Sequence, residues 1–274
     1  MPATLSRLPD LSSEYALTQE SPAAYRANGH VLLRGVCARD EIVAYRKALS
    51  DATYRYKTEQ PPIEERDTYG RAFLQVTNLW VHDEGARRFV LARRFAGIAA
   101  RLMGVEAVRL YHDQALYKEA RGGHTPWHQD QYYWPLESVN TITMWMPLVD
   151  ADKQMGTMTF ASGSHREGFL GHVEISDHSQ EIFRRLVETR GYPLVSAGAM
   201  RAGDATFHSG WTLHSAPANA TDRTREVMTV IYFADGIRIE QPDNRHREAD
   251  LLAWFPGQSA GEDAASHLNP LVYP

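Results

Sequence analysis

Hydrophobic and polar positions in the N-terminal part of the chain follow a helical period. Apolar residues recur on one face over residues 40–56 and again over residues 85–103, which predicts two amphipathic helices. An apolar run at residues 30–35 precedes them and is typical of a strand. Residues 1–24 are polar and punctuated by Ser and Pro, so we expect an extended lead-in there. The pattern indicates a helix-rich N-terminal layer over residues 25–104.

From Val105 onward the hydrophobic period changes to two. A long strand is predicted over residues 108–118, where neighbouring positions alternate between two faces. Further strands separated by turns are predicted at residues 141–148, 155–160, 193–195, 205–207 and 226–233, with a short helix inserted at residues 179–189. A series of short strands of this kind is typical of a β-sandwich or barrel.

No internal repeat, low-complexity tract or linker divides the chain. We therefore expect a single domain over residues 1–274, mainly β with flanking helices. In this interpretation a β core at residues 105–235 packs against the N-terminal helical layer. A C-terminal tail at residues 236–274 follows the core.

Composition and charge narrow the functional classes. The chain has 274 residues, of which 43% are hydrophobic and 23% are charged, as in ordinary globular proteins. A net charge of −5 supplies no basic field for phosphates, so we expect no nucleic-acid partner. The single cysteine, Cys37, excludes an internal disulfide and any multi-cysteine metal site. Such cysteine usage suits a reducing cytoplasm.

The N-terminus does not combine a cationic end with an apolar stretch, and no window approaches about 18 consecutive apolar residues. We therefore predict a cytoplasmic protein without a membrane partner. We expect it to be a monomer or a homodimer that acts on a small molecule.

Histidine is the residue type that directs attention to a metal. The chain has 12 histidines, and the pattern His-x-Asp/Glu can place two ligands on one face of a strand. This pattern begins at His82, His128, His165, His172 and His246. Only His128 is followed by an aspartate, Asp130, and only this pair comes after a long strand and a Gly-Gly turn. Context therefore selects His128 and Asp130 from five similar motifs.

A chelate of two residues needs at least a third ligand. Residues 203–219 offer His208 and His214, which follow a strand that begins at a Gly-Asp turn. Two histidines and one carboxylate that leave open positions form the facial triad of non-haem Fe(II) oxygenases.

Four pieces of the chain occur in a defined order: residues 25–36 with their following helix, residues 127–130, residues 155–165 ending in Gly-Ser-His, and a C-terminal group of Gly203, Asp204, Phe207, His208, His214, Asn219 and Arg225. Together they resemble the phytanoyl-CoA dioxygenase-like branch of the Fe(II)/2-oxoglutarate-dependent oxygenases. The resemblance implies a double-stranded β-helix core, also called a jelly-roll or cupin-like fold. It also implies Fe(II), 2-oxoglutarate and O2 as cofactor and co-substrates.

Position by position, the resemblance implies that His128, Asp130 and His214 are the iron ligands and catalytic residues. His208 matches a position near the site that is not a ligand. Arg225 matches the arginine that binds the distal carboxylate of 2-oxoglutarate, a role that suits a planar guanidinium in a closed pocket. Arg223 is the weaker candidate because it lies nearer to a turn.

Further co-substrate contacts follow from the same resemblance. Gln129, Trp145 and Gln114 match positions that line the co-substrate, although packing inside the core is the alternative for each. Gln75 falls near a lysine of some relatives. Ala216 stands where some relatives have a serine, so that hydrogen bond would come from Ser215 or from water.

For an aromatic group and for one lysine, the sequence leaves two interpretations open. The aromatic side chains Trp127, Tyr132, Tyr133 and Trp134 could form a substrate pocket or pack in the core. Lys118 could be a pocket cation or a lysine at a strand end with its ammonium group in water.

The implied reaction is hydroxylation of an unactivated C–H bond in a small metabolite or natural-product intermediate, with release of succinate and CO2. The presence of Asp130 favours hydroxylation over halogenation, because halogenating relatives replace that carboxylate with a small residue. Desaturation or epimerisation on the same iron centre stays open. A non-catalytic jelly-roll that binds a small molecule or metal, and a metal-dependent hydrolase that needs no O2, are the rival classes.

Overall fold

The computed structural model describes residues 8–274. Within that range eight α-helices form, α1 Glu20–Asn28, α2 Arg39–Tyr56, α3 Thr68–Ala72, α4 Leu79–His82, α5 Glu84–Val90, α6 Arg93–Met103, α7 Asp177–Arg190 and α8 Arg245–Trp254. Eleven strands accompany them, β1 His30–Leu33, β2 Leu74–Thr77, β3 Val108–Tyr117, β4 Thr125–His128, β5 Thr141–Pro147, β6 Thr159–Ala161, β7 Leu194–Ser196, β8 Ala205–Ser209, β9 His214–Ala216, β10 Val227–Ala234 and β11 Leu271–Tyr273. No helix of the described range is long and apolar enough to cross a membrane.

The strands form two antiparallel sheets. The larger one has seven strands in the order β1-β8-β5-β10-β3-β11, with β2 also paired to β3. The smaller one has four strands in the order β4-β9-β6-β7. Both sheets are open and face each other across a cavity, so no closed barrel forms. This two-sheet core with a helical layer confirms the predicted fold class, mainly β with flanking helices.

Alternation along the strands decides which face of the large sheet is covered. In β5, Ile142, Met144 and Met146 pack in the same apolar core as side chains of α2, α5 and α6. The intervening Thr143 and Trp145 point to the opposite side and line the cavity. Because side chains of a strand alternate between faces, one face of the sheet carries the helices and the other builds the site.

A register shift in the pairing of β10 with β3 interrupts this alternation. The shift falls between Ile231, which pairs with His112, and Tyr232, which pairs with Leu110, so Tyr111 is the extra residue. Leu110 packs in the core beside the helices, whereas His112 lines the cavity. A bulge of this kind re-aims side chains, and here Tyr111 leaves the helical layer for a second apolar cluster.

The predicted helix over residues 85–103 is wrong in one respect, since α5 and α6 are separate helices. Ala92 has extended backbone angles between them. The Arg94 N–H donates to the Leu11 carbonyl oxygen at 3.1 Å. In a continuous helix this N–H would donate to the Val90 carbonyl oxygen, so a contact with the lead-in replaces a helical hydrogen bond at the break, and no local sequence signal reports it.

The lead-in and the tail also contain elements that the sequence pattern did not predict. Helix α1 begins at Glu20, inside the segment predicted to be extended, and it buries only two of its residues. The tail at residues 236–274 holds α8 and strand β11, which pairs with β3. The predicted strand at residues 155–160 begins only at Thr159, because residues 153–155 form a 3-10 turn. Weak apolar periodicity explains these errors.

The Gly203-Asp204 turn connects the large sheet to the start of α2. Gly203 has φ of +89°, and a Cβ there would lie 2.4 Å from the Cys37 carbonyl oxygen. The buried Asp204 carboxylate accepts hydrogen bonds of 2.8 Å from the backbone N–H groups of Gly35 and Arg201 and from the Arg34 guanidinium. The turn therefore has a structural role.

We expect Asp204→Ala to lower the free energy of unfolding by about 2–4 kcal/mol, because buried donors lose a charged acceptor. Urea titration followed by circular dichroism measures this change. Asp222→Ala is the matched control, since the Asp222 side chain is 84% exposed in its ion pair with Arg121. The control should change stability by less than about 1 kcal/mol. Equal effects of the two variants would contradict the structural role of Asp204.

Candidate active site

Three side chains of types that can bind a metal meet where β4 pairs with β9. His128 ends β4 and lies opposite His214, the first residue of β9. Asp130 begins the 3-10 turn that follows β4. Its Oδ1 lies 3.5 Å from His128 Nε2 and 3.6 Å from His214 Nε2. One ligand atom from each residue lies within 4.8 Å of the others, so the fold brings the three predicted ligands together.

The hydrogen bonds around these side chains orient their donor atoms. His128 Nδ1 lies 2.8 Å from the Pro126 carbonyl oxygen, and His214 Nδ1 lies 3.0 Å from the Thr212 carbonyl oxygen. A carbonyl can only accept, so each Nδ1 carries the proton and each Nε2 presents a lone pair. Two nitrogens and one carboxylate oxygen therefore face a common point, a donor set that fits Fe(II).

The second oxygen of Asp130 is held from the large sheet. Thr143 on β5 donates to Oδ2 at 2.9 Å, and His208 Nε2 on β8 lies 3.2 Å from the same oxygen. Neither of these groups contacts Oδ1, which could therefore bind a metal ion. His208 lines the cavity without joining the ligand group, and hydrogen-bonding partners of this kind fix the orientation of ligands.

The electrostatics favour the metal-binding protonation states. Burial opposes ionisation of Asp130, but its interactions with His214, His128 and His208 hold its pKa well below the usual range. Burial, followed by the charge of His128, lowers the pKa of His214 well below its ordinary value. A carboxylate and a neutral imidazole, the forms that bind metal, are therefore present at neutral pH.

Arg225 occupies one end of the cavity and is completely buried. Its Nη1 donates to the Gly156 carbonyl oxygen, while Nε and Nη2 have no hydrogen-bond partner among the described residues. The guanidinium lies 5.1 Å from the Trp145 ring centroid. Burial lowers the pKa of Arg225 to about 9, so it stays charged at neutral pH. A buried cation with two free N–H groups is suited to a carboxylate.

Lys118 is a second buried basic side chain beside Arg225. Its Nζ donates to the Gly123 carbonyl oxygen and to Thr125 Oγ1. Burial, and then the charge of Arg225, lower its pKa to about 6. Lys118 is therefore neither in water nor part of the cavity lining, and it supports Thr125, which does line the cavity.

The cavity between the sheets has a volume of about 310 Å³. The predicted co-substrate contacts Gln75, Gln114 and Trp145 all line it. Gln75 Nε2 donates to Gln114 Oε1 at 2.9 Å. Ser215 and Ala216 line the same cavity.

Gln129 does not line the cavity. Its side-chain N–H groups donate to the carbonyl oxygens of Gly168 at 2.8 Å and Trp211 at 2.7 Å. Its Oε1 accepts a hydrogen bond from the Leu170 backbone N–H. The structure therefore gives Gln129 a role in holding neighbouring loops.

The predicted aromatic group divides into two pairs. Tyr133 and Trp134 line the cavity, whereas Trp127 packs in an apolar cluster beside α7. Tyr132 packs edge-on against Tyr133. Arg223 is exposed and does not line the cavity, whereas Arg225 does.

Several cavity residues were not predicted as site residues: Tyr69, Phe73, His112, Thr143, Asp250 and Trp254. His112 could have been found, because it shares a strand face with Gln114 in the alternating pattern. Asp250 and Trp254 lie on α8 in the predicted tail, where no sequence signal points to a site.

The chain is similar to known proteins in both sequence and structure. Residues 25–227 match the sequence model of the family described as phytanoyl-CoA dioxygenase (PhyH). A 2-aminoethylphosphonate dioxygenase from an uncultured bacterium is 24% identical over 224 residues, covering 78% of this chain and 81% of that protein. A methylphosphonate hydroxylase from Gimesia maris is 29% identical over 150 residues, covering 55% of this chain and 54% of that protein.

Solved structures extend the similarity over nearly the whole chain. The non-heme alpha-ketoglutarate-dependent carbocyclase SnoK from nogalamycin biosynthesis is 26% identical with a TM-score of 0.74, covering 93% of this chain and 96% of that one. The epimerase SnoN in complex with Fe3+, alpha-ketoglutarate and nogalamycin RO is 26% identical with a TM-score of 0.74, covering 99% of this chain and 100% of that one. The chain therefore belongs to the phytanoyl-CoA dioxygenase family and is an Fe(II)- and 2-oxoglutarate-dependent oxygenase.

Proposed function

We propose that this enzyme hydroxylates an unactivated C–H bond of a small molecule, with His128, Asp130 and His214 as the iron ligands. The observation that carries the proposal is the ligand group itself, which retains a carboxylate and faces a cavity that ends at the buried Arg225. Bound Fe(II) would supply the activation of O2, coupled to oxidative decarboxylation of 2-oxoglutarate to succinate and CO2.

The protein's own side chains position the reactants. Arg225 offers Nε–H and Nη2–H to the distal carboxylate of 2-oxoglutarate, while the rings of Trp145 and Phe73 cover the guanidinium and exclude water. Thr143 and His208 fix Asp130 so that one carboxylate oxygen points to the metal. The remaining cavity holds the substrate against the open side of the ligand group.

The cavity is small for two reactants, since ligand pockets range upward from about 300 Å³. The phosphonates in the names of two relatives are anions. Of the described residues that line the cavity, Arg225 is the sole lysine or arginine. Because Arg225 serves the co-substrate in this proposal, we do not extend a phosphonate substrate to this chain.

Two measurements test the proposed reaction. Anaerobic addition of Fe(II) and 2-oxoglutarate should produce a weak visible charge-transfer band, and admission of O2 should yield succinate. With a substrate and 18O2, hydroxylation should place one 18O atom in the product. Desaturation would instead remove two hydrogens, and epimerisation would leave the mass unchanged. Either of these products, or no succinate under any substrate screen, would contradict the proposal, and an added chelator is the control.

A further inference from the structure

A guanidinium and a carboxyl group lie at opposite ends of the cavity. Arg225 forms a backbone bridge with Lys118 just beyond the end of β3, whereas Asp250 of α8 accepts a 2.7 Å hydrogen bond from the Tyr111 hydroxyl, near the start of β3. At about 3.3 Å per residue, the strand separates these ends by roughly 20 Å. The candidate iron ligands lie between them. Thr143 donates a hydrogen bond to Asp130, and Thr143 and His112 both pair with Ile231 of β10 and so lie at the same level of the sheet.

Asp250 has no cationic partner in the described part of the chain. The carboxyl group lines the cavity, and none of the ion pairs within residues 8–274 includes it. Burial raises the pKa of Asp250 to about 7, and hydrogen bonds from Tyr111 and Trp254 oppose that shift. Asp250 is half-buried, and a carboxylate that is partly removed from water without a counterion is unfavourable, so binding of a cation there would stabilise it.

The surroundings of Asp250 suit an organic cation. Trp134 and Trp254 line the cavity; Trp134 packs on the Tyr111 ring at 5.3 Å between centroids, and Trp254 lies one turn after Asp250 on α8. Aromatic faces attract ammonium groups. His112 exposes 4% of its surface, and its Nδ1 has no hydrogen-bond partner. Its ring centroid lies 4.8 Å from that of Trp254. A buried nitrogen without a partner is unusual in a folded protein, and the His112 side chain lines the cavity.

We infer that the substrate carries a protonated amine or a related organic cation, with Asp250 as its counterion and the rings of Trp134 and Trp254 in contact with it. The inference rests on the proposed function, because it names the substrate class of the same cavity. The two ends of the cavity then bind different reactants. Arg225 receives the anionic co-substrate, and Asp250 rejects anions while it binds the cationic substrate.

Equilibrium binding of three matched probes tests this inference without turnover. The probes are 2-phenylethylamine, 2-phenylethanol and 3-phenylpropionate, added anaerobically to the protein loaded with Fe(II) and 2-oxoglutarate and followed by calorimetry and ligand-observed NMR. We expect the amine to bind at least about tenfold more tightly than the alcohol, and the carboxylate to bind most weakly. Equal affinities, preference for the carboxylate, or no amine binding at millimolar concentration would overturn the inference.

Variants on α8 assign the effect to one carboxylate. Asp250→Asn, which keeps the shape of the side chain, should weaken amine binding about tenfold or more and leave the alcohol unchanged. Glu248→Gln removes the same charge from the exposed face of α8 and should have no effect. Tyr111→Phe keeps the carboxylate and should retain amine binding, which covers the case in which Asp250→Asn fails to fold. Amine affinity that survives Asp250→Asn would refute the assignment.

The outcome is separable from that of the proposed function. Asp250-dependent amine binding without succinate formation would reject the oxygenase reaction and leave the inference standing. Succinate formation stimulated only by neutral or anionic compounds would support the oxygenase reaction and reject the inference.

Discussion

Replacement of Asp130 by alanine is expected to abolish Fe(II) binding and to lower turnover by more than about a thousandfold. Asp130 supplies the sole carboxylate of the ligand group, and its removal leaves two neutral imidazoles that hold Fe(II) weakly. The same result is expected for His128→Ala, since either change leaves two ligands. Metal content after anaerobic loading and gel filtration, together with the 2-oxoglutarate charge-transfer band, measures the loss.

His82→Ala is the matched control for this experiment. His82 begins another His-x-Glu motif and lies exposed at the end of α4, so its loss should change neither metal content nor turnover. Thermal unfolding should show that all variants are folded. An Asp130→Ala protein that retains one Fe(II) and normal turnover would show that the ligand assignment is wrong.

Replacement of Arg225 by leucine is expected to raise the dissociation constant for 2-oxoglutarate by about a hundredfold. Loss of one partner from a buried, hydrogen-bonded charge pair costs about 2–5 kcal/mol, and Arg225 has two N–H groups free for that pair. Arg225→Lys should fall between the wild type and the leucine variant, because an ammonium group cannot bind a carboxylate bidentately. Titration of the charge-transfer band with 2-oxoglutarate measures the constant.

Arg223→Leu provides the control, since Arg223 is exposed two positions away and should leave the affinity unchanged. A second readout separates binding from folding. Without 2-oxoglutarate, Arg225→Leu should unfold at a temperature equal to or higher than the wild type, because it removes a buried charge that has no counterion. Unchanged affinity of Arg225→Leu for 2-oxoglutarate would exclude the proposed role.

Local patterns predicted much of the β core. The predicted strand over residues 108–118 matches β3, Val108–Tyr117, because the alternation of side chains between two faces is a property of the strand itself. The helix over residues 40–56 was equally predictable, since its apolar stripe repeats with the helical period. Helix α2 covers almost the same residues. Weakly amphipathic elements were not predicted. Helix α8 is the clearest case, because only one of its residues is buried.

Site residues that are close together in the sequence were predictable, whereas contacts between distant segments were not. His128 and Asp130 lie two positions apart, so their proximity follows from chain geometry alone. The direction of the Gln129 side chain, between them in sequence, depends on the loops that accept its hydrogen bonds. The sequence therefore placed Gln129 in the right segment and the structure directed its amide away from the cavity.

The sequence by itself determined the positions of most core strands, the His128–Asp130 pair and the family resemblance that selects His214 and Arg225. Only the tertiary structure decided that β9 lies beside β4, that a bulge at Tyr111 turns His112 into the cavity, and that α8 brings Asp250 to its far end. The physical reason is that the first set depends on spacing along the chain. The second depends on packing between segments that are distant in sequence, which no local pattern encodes.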